Sequence, residues 1–319
     1  MNESYDLWSK LETATGERLV NKCGLLRLSD EKTTMNYAKI LKDFGVDHRI
    51  LKGRAIQEEF PQFLYDDGWF GLMDPEGGII YADKSLDVTQ REAVKNGAVF
   101  SFEEKVKEIK SEADKLVVVT DKGSYNTKNL VVTAGGWLNK VLPDLDSIIR
   151  TQAEQIGTMY WNIKRNHHMF DADKKCPTVV IEENGTKMFM VPPVDYENQI
   201  KLCLDACEPI DPDQPLECMP AWMEERVKKH ISEHIPDIDA SAPSNVDLCI
   251  YTMTKDSHYA IGRYPSDKRI LIGGGFSGSG FKLSIAVGRM LTDLAQGRNE
   301  HDVIPELFSI TRARFDKHD

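Results

Sequence analysis

What this sequence lacks narrows its function before anything it contains. No apolar run reaches the ~18 residues of a membrane helix, and Met1-Asn-Glu-Ser4 is too acidic to open a secretory leader. An intracellular chain is expected. Basic blocks and basic-aromatic interleaving are missing as well: 40 Lys and Arg face 51 Asp and Glu, a net charge of −11. That balance argues against a nucleic-acid partner. The six cysteines (Cys23, Cys176, Cys203, Cys207, Cys218 and Cys249) form no Cys-x-x-Cys pair, which points to free thiols in a reducing compartment. There is no internal repeat and no low-complexity linker. Domain boundaries must therefore be topological.

What is present is a core-forming composition, 41% hydrophobic and 29% charged over 319 residues, enough for one large or two interleaved domains. The most informative stretch runs from Arg269 to Lys282, an apolar strand feeding a glycine-rich turn that opens a helix. Gly273, Gly275 and Gly278 fit a Gly-x-Gly-x-x-Gly spacing, and Leu283, Ala286, Val287, Met290, Leu291 and Leu294 then recur at helical intervals. A dinucleotide fingerprint would need a second parallel strand and an acidic residue about 20 positions on. The chain instead passes Gly297 into a polar stretch. The loop reads as one facing a cofactor, not one holding a pyrophosphate.

Taken in order, the chain predicts a helix from Tyr5 to about Leu19 with Tyr5, Trp8 and Leu11 on one face, then a strand through Gly24–Leu28. Ser29 or Asp30 can cap a helix striped by Met35, Ala38, Leu41 and Phe44 and closed by Gly45. These pieces read as peripheral. Beyond Gly77 come a helix through Lys95 stopped by Gly97 and strands near 98–102, 106–109 and 116–120, the last turned back by Asp121-Lys-Gly123. Asn129-Leu-Val-Val-Thr-Ala-Gly-Gly-Trp137 reads as a buried strand whose small-residue end is either a tight turn or a ligand contact. Residues 151–247 look like a separate antiparallel layer, with the clearest hairpin signal at Glu183-Asn-Gly-Thr186 and a helix from Ala221 to His234 ended by Pro236.

Two metal-like patterns have plainer explanations. His230-Ile-Ser-Glu-His234 matches a His-x-x-Glu-His zinc pattern, but beside Lys228 and Lys229 at a helix end it reads as a pair of solvated histidines favoured by the dipole. Cys203 and Cys207 lack two further ligands. No metal is expected.

Cys249-Ile-Tyr-Thr-Met-Thr-Lys-Asp256, followed closely by Gly275-Phe-Ser-Gly-Ser-Gly-Phe-Lys282, resembles the paired signature of the sarcosine and pipecolate oxidases, flavoenzymes of the D-amino-acid-oxidase superfamily. The resemblance extends to Gly77-Gly-Ile-Ile-Tyr-Ala82, Glu104-Lys-Val-Lys-Glu-Ile109 and Thr133-Ala-Gly-Gly-Trp137. It implies an α/β (α+β) FAD-binding oxidoreductase fold of D-amino-acid-oxidase type with an antiparallel-sheet substrate domain. Residues 77–147 and 248–319 would form the FAD domain, and 1–76 and 148–247 the substrate domain. By the same resemblance Cys249, otherwise readable as a buried strand cysteine, forms a thioether to FAD. Lys282 pairs with the substrate carboxylate and Lys201 activates oxygen. Val106, Ala134 and Gly135 line the adenosine side, while Gly274, Gly275, Phe276, Gly278 and Gly280 approach the flavin. The implied reaction passes a hydride equivalent from a secondary amino acid such as sarcosine or L-pipecolate to the flavin, leaves an imine, and reduces O2 to H2O2.

The match departs from the family in places. The initial strand and Gly-x-Gly-x-x-Gly unit of the family are not found, so a truncated chain is expected. Ser279 replaces a loop histidine, Asp205 stands four residues after Lys201 where many members have histidine, and Phe189 takes a position often held by tyrosine. Asp205 and Phe189 are nonetheless expected at the substrate. An inactive relative and a fructosyl amino acid oxidase, the latter prompted by Lys201-Leu-Cys203, are the alternatives. A monomer in the cytoplasm or peroxisome is expected, although Lys317-His-Asp319 is not a Ser-Lys-Leu signal.

Overall fold

A computed structural model describes residues 1–312, and the C-terminal tripeptide lies outside the described residues. Its largest element is a mixed sheet of nine strands. Thr151–Asn162 is the spine. Asn245–Thr254 runs antiparallel along it from Thr151↔Thr254 to Tyr160↔Asn245, while Gln199–Leu204 and Glu208–Pro209 take the other edge. Outward from Gln199–Leu204 come Thr186–Val191, Thr178–Glu183, Leu25–Ser29, Phe70–Asp74 and Arg49–Lys52.

Leu25–Ser29 is therefore not peripheral. It pairs in parallel with Thr178–Glu183 and antiparallel with Phe70–Asp74, because Leu26 and Leu28 alternate into the main core. That core also holds Trp161, Phe63 and Phe170, covered by helix Ala221–His234 through Met223, Val227 and Ile231. The Trp161 indole donates to the Leu202 carbonyl at 2.9 Å, so the buried ring leaves no unpaired N–H. The predicted antiparallel layer is thus real but not separate, since residues 25–74 complete it.

A smaller sheet joins Ala260–Arg263, Ile270–Gly274 and Leu130–Val132, the last two in parallel. Helix Ser284–Ala295 packs Val287, Met290, Leu291 and Leu294 against Ile261 and Leu271, as its spacing predicted. Val106–Ser111, Leu116–Thr120 and Ser124–Thr127 form a meander.

Three local expectations fail. Residues 98–102 form no strand, and Val99 is 92% exposed. The run at 129–137 supplies only three strand residues at a sheet edge, leaving Val131 exposed. Helix Glu31–Asp43 is capped by Asp30, whose carboxylate accepts from the Thr33 N–H at 2.8 Å, but it buries Thr34 and Ala38 while Met35 and Phe44 face solvent.

Candidate active site

Strand alternation and register place Cys249, Lys201 and Phe189 on one face of the large sheet. Asn245, Asp247, Cys249 and Tyr251 alternate along one strand, and Asn245 opposes Tyr160. Tyr160 opposes Lys201, Lys201 opposes Val191, and Phe189 follows two residues before Val191. Cys249, Lys201 and Phe189 thus share a face. Cys249 is exposed, contrary to the reading of a buried strand cysteine, and so its thiol is free to react. The neighbouring Cys203 thiol, fully buried, is pushed up to about 12 mainly by that burial, with Lys201, Cys249 and Asp195 all close enough to act on it.

Lys201 is tied in place. Its ammonium meets Asp195 at 2.6 Å and lies 5.2 Å from the centre of the Tyr160 ring, while Tyr160 donates to the same Asp195 at 3.2 Å. Phe189 is partly buried against the main core.

The glycine loop reaches the end of strand Asn245–Thr254 and touches this face at Tyr251. Gly275 and Gly278 have positive φ of 60° and 74°. A Cβ on Gly275 would come within 2.4 Å of Thr254, and one on Gly278 within 2.8 Å of the Tyr251 ring. The loop can therefore reach the Cys249–Thr254 strand only because both positions lack side chains. It is fastened by Ser277 N–H to the Thr252 carbonyl at 3.0 Å and by the Tyr259 hydroxyl, which donates to the Ser279 carbonyl at 2.6 Å. Phe276 packs edge-on to Tyr259 at 5.0 Å. Among the described residues the N–H groups of Gly278 and Gly280 donate to no acceptor.

Lys282 sits in the 3-10 turn Phe281–Leu283 that precedes helix Ser284–Ala295. It has solvent access and no ion-pair partner among the described residues. Desolvation, followed by the like charges of Lys187 and Arg27, lowers its pKa, so both cations are near enough to act on it. Each has its own carboxylate. Arg27 pairs with Glu182 and stacks 4.1 Å over Tyr37, and Lys187 pairs with Asp205 at 2.9 Å. Arg27, Lys187 and Lys282 against Glu182 and Asp205 leave one positive charge, the complement of one carboxylate.

Tyr251 was not singled out from the sequence beyond its place in the motif. Its ring abuts Gly278, and burial first, then Asp205, raises its pKa, so the phenol stays protonated. The signal available was its position two residues after Cys249 on the same strand face. Of the residues expected on the adenosine side, Ala134 and Gly135 follow the edge strand Leu130–Val132, whereas Val106 opens the meander in another sheet.

Of the histidine pair, His230 is not solvated, whereas His234 is only partly buried. His230 is 2% exposed, shares a 2.9 Å hydrogen bond with the Tyr65 hydroxyl, and is held near 3 mainly by burial. His234 stacks on Tyr65 and bonds the Leu64 carbonyl at 2.8 Å. Among the described residues no group of three metal-ligating side chains exists.

An exposed thiol, loop N–H groups without acceptors and a lysine without an ion-pair partner among the described residues form a donor set that fits the flavin half of FAD.

Comparison with known proteins identifies the family and the fold. A family described as DAO, FAD dependent oxidoreductase, matches residues 1–294. A putative sarcosine oxidase of Caenorhabditis elegans is 34% identical over 311 residues, 93% of this chain and 78% of that protein. A peroxisomal sarcosine oxidase of Mus musculus is 30% identical, covering 92% of this chain and 76% of its own length. Among solved structures, NikD, an unusual amino acid oxidase essential for nikkomycin biosynthesis, superposes with a TM-score of 0.84 at 19% identity, over 99% of this chain and 84% of that one. No described helix is long and apolar enough to cross a membrane.

Proposed function

The chain belongs to the sarcosine oxidase family of FAD-dependent oxidoreductases and is a flavin amine oxidase; from that premise we propose that it oxidises a secondary amino acid, N-methylated or cyclic, such as sarcosine or L-pipecolate. What supports this reading is the exposed Cys249 two residues from Tyr251 on one strand, the Gly275–Gly278 loop packed against that Tyr251 ring, and Lys282 just beyond the loop with no ion-pair partner among the described residues. Bound FAD would accept a hydride equivalent from the substrate and pass its electrons to O2.

The chain's own residues have distinct tasks in this reading. Cys249 holds the cofactor covalently through its thiol. The loop from Gly274 through Phe276 to Gly280 presents N–H groups to it, and Ala134, Gly135 and Val106 face its adenosine half. Lys282 binds the substrate carboxylate, aided by a surplus of positive charge. Lys201, fixed by Asp195, places a cation where negative charge develops on oxygen. Phe189 and Tyr251 wall the substrate. Residues 77–147 and 248–319 serve the cofactor, and 1–76 with 148–247 the substrate. The strand Asn245–Thr254 belongs to the large sheet and carries Cys249 across that division. The working unit is a monomer, in the cytoplasm or the peroxisome.

Anaerobic mixing of the flavin-loaded protein with each substrate tests the reading. Sarcosine or L-pipecolate should bleach the flavin absorption, whereas fructosyl-lysine should not. Bleaching by fructosyl-lysine alone would replace the proposal with a fructosyl amino acid oxidase. Lys282→Met should weaken carboxylate binding about 10- to 100-fold, the loss of a charged hydrogen bond of about 1.5–3 kcal/mol. Unchanged affinity would remove Lys282 from the site.

A further inference from the structure

Asp205 poses a problem that the fold answers. Hydride loss from carbon needs the nitrogen lone pair to form the C=N bond, so the substrate amine must first give its proton to water. A bare carboxylate beside it would hold that proton. Asp205 is close enough to act on Tyr251, whose ring abuts Gly278, and Lys187 is close enough to act on Lys282. By alternation Lys187 shares the face of Phe189 and Val191, and Asp205 that of Lys201 and Cys203, so the pair lies on the sheet face that carries Cys249 and Tyr251.

The pair is built by the backbone as well as by charge. Lys187 lies near the hairpin turn of strand Thr186–Val191, and the Asp205 N–H donates to the Lys187 carbonyl at 2.7 Å. Their side chains meet at 2.9 Å, half-exposed. Other groups facing Asp205 do not offset its charge: Tyr251 is protonated, and burial pushes the Cys203 and Cys207 thiols up to about 12. Glu154 and Glu208, both near Cys207, are acidic, and Glu154 is itself raised by burial. Besides Lys187, the cations placed near Lys282 and Asp205 by the contacts above are Arg27, which is held by Glu182, and Lys282 itself.

We propose that Lys187 is a positioning residue for the substrate amine: its ion pair holds the Asp205 carboxylate away from the nitrogen, so the site takes its carboxylate ligand with the amine uncharged. This rests on the amine-acid reading of the cleft. It makes the site selective against permanently cationic amino acids and for neutral secondary amines.

Two isosteric ligands that cannot be oxidised through a free amine read this without turnover. Trimethylammonioacetate carries a fixed positive charge, and 3,3-dimethylbutyrate has carbon in place of that nitrogen. Their dissociation constants are measured by calorimetry on the flavin-loaded protein. Lys187→Met should shift the preference toward the cationic ligand about tenfold, as expected for an opposite charge a few ångströms away. Asp205→Asn should shift it the other way, Lys187→Met/Asp205→Asn should restore it, and Lys187→Arg should keep it. An unchanged ratio in both single variants, with 3,3-dimethylbutyrate still bound through Lys282, overturns the role of Lys187 alone. Binding of 3,3-dimethylbutyrate that is indifferent to Lys282→Met overturns the amine-acid reading and this inference with it.

Discussion

A side chain at position 278 has no room. The residue has φ +74°, and a Cβ would lie 2.8 Å from the Tyr251 ring. Gly278→Ala must therefore strain the backbone by about 1–2 kcal/mol and displace either the ring or the loop. The urea midpoint should fall correspondingly, and the flavin-to-protein absorbance ratio should fall with it; full flavin loading in this variant would show that the loop does not contact the cofactor. The glycine spacing could be read from the sequence because conformational need is written in residue type. The exposure of Cys249 could not. Alternation along a strand fixes which residues share a face but not which face stays open, and Tyr251 gains its importance only from a loop 27 positions away.

Elements were legible where one local rule decided them. Asn184 and Gly185 have φ of 51° and 74°, so Glu183-Asn-Gly-Thr186 makes a two-residue hairpin turn with both central residues left-handed. Helix Ser284–Ala295 followed its apolar period. Helix Glu31–Asp43 did not, because its partners, the strands Leu25–Ser29 and Phe70–Asp74, lie across Thr34 and Ala38 and leave Met35 outside. The end of helix Ala221–His234 was misjudged for a similar reason: Tyr65 and Trp69, distant in sequence, close over His230. This burial makes a pH prediction. The histidine is neutral when folded, held near 3, but takes a proton near 6.5 when unfolded. The unfolded chain thus binds more protons between those values, so His230 lowers stability as pH falls from 6.5, by up to about 1.4 kcal/mol per unit. Urea midpoints of the wild type and His230→Phe should converge as pH drops from 7 to 5. Parallel curves would mean that His230 titrates normally.

Across the whole molecule, the cleft is an assembly of segments that are far apart in the chain. Arg27, Lys187, Lys201, Cys249 and Lys282 come from five different segments, brought together by one sheet and one loop. The sequence motifs held Cys249 and Lys282, only 33 positions apart. Arg27 and Lys187 carried no local mark, since their significance comes from the pairing of Leu25–Ser29 with Thr178–Glu183 and of that strand with Thr186–Val191. Of these cations, Arg27, Lys187 and Lys201 each have a carboxylate, and Lys282 has none among the described residues, which suits it to a small carboxylate. We propose that Cys249 holds FAD covalently. The visible spectrum of the purified protein, before and after acid precipitation, tests it most directly. Flavin bands that remain with the precipitate, and pass to the supernatant or vanish in Cys249→Ser, are the predicted result; a protein that stays colourless when refolded with FAD, or flavin retained covalently in Cys249→Ser, would contradict it.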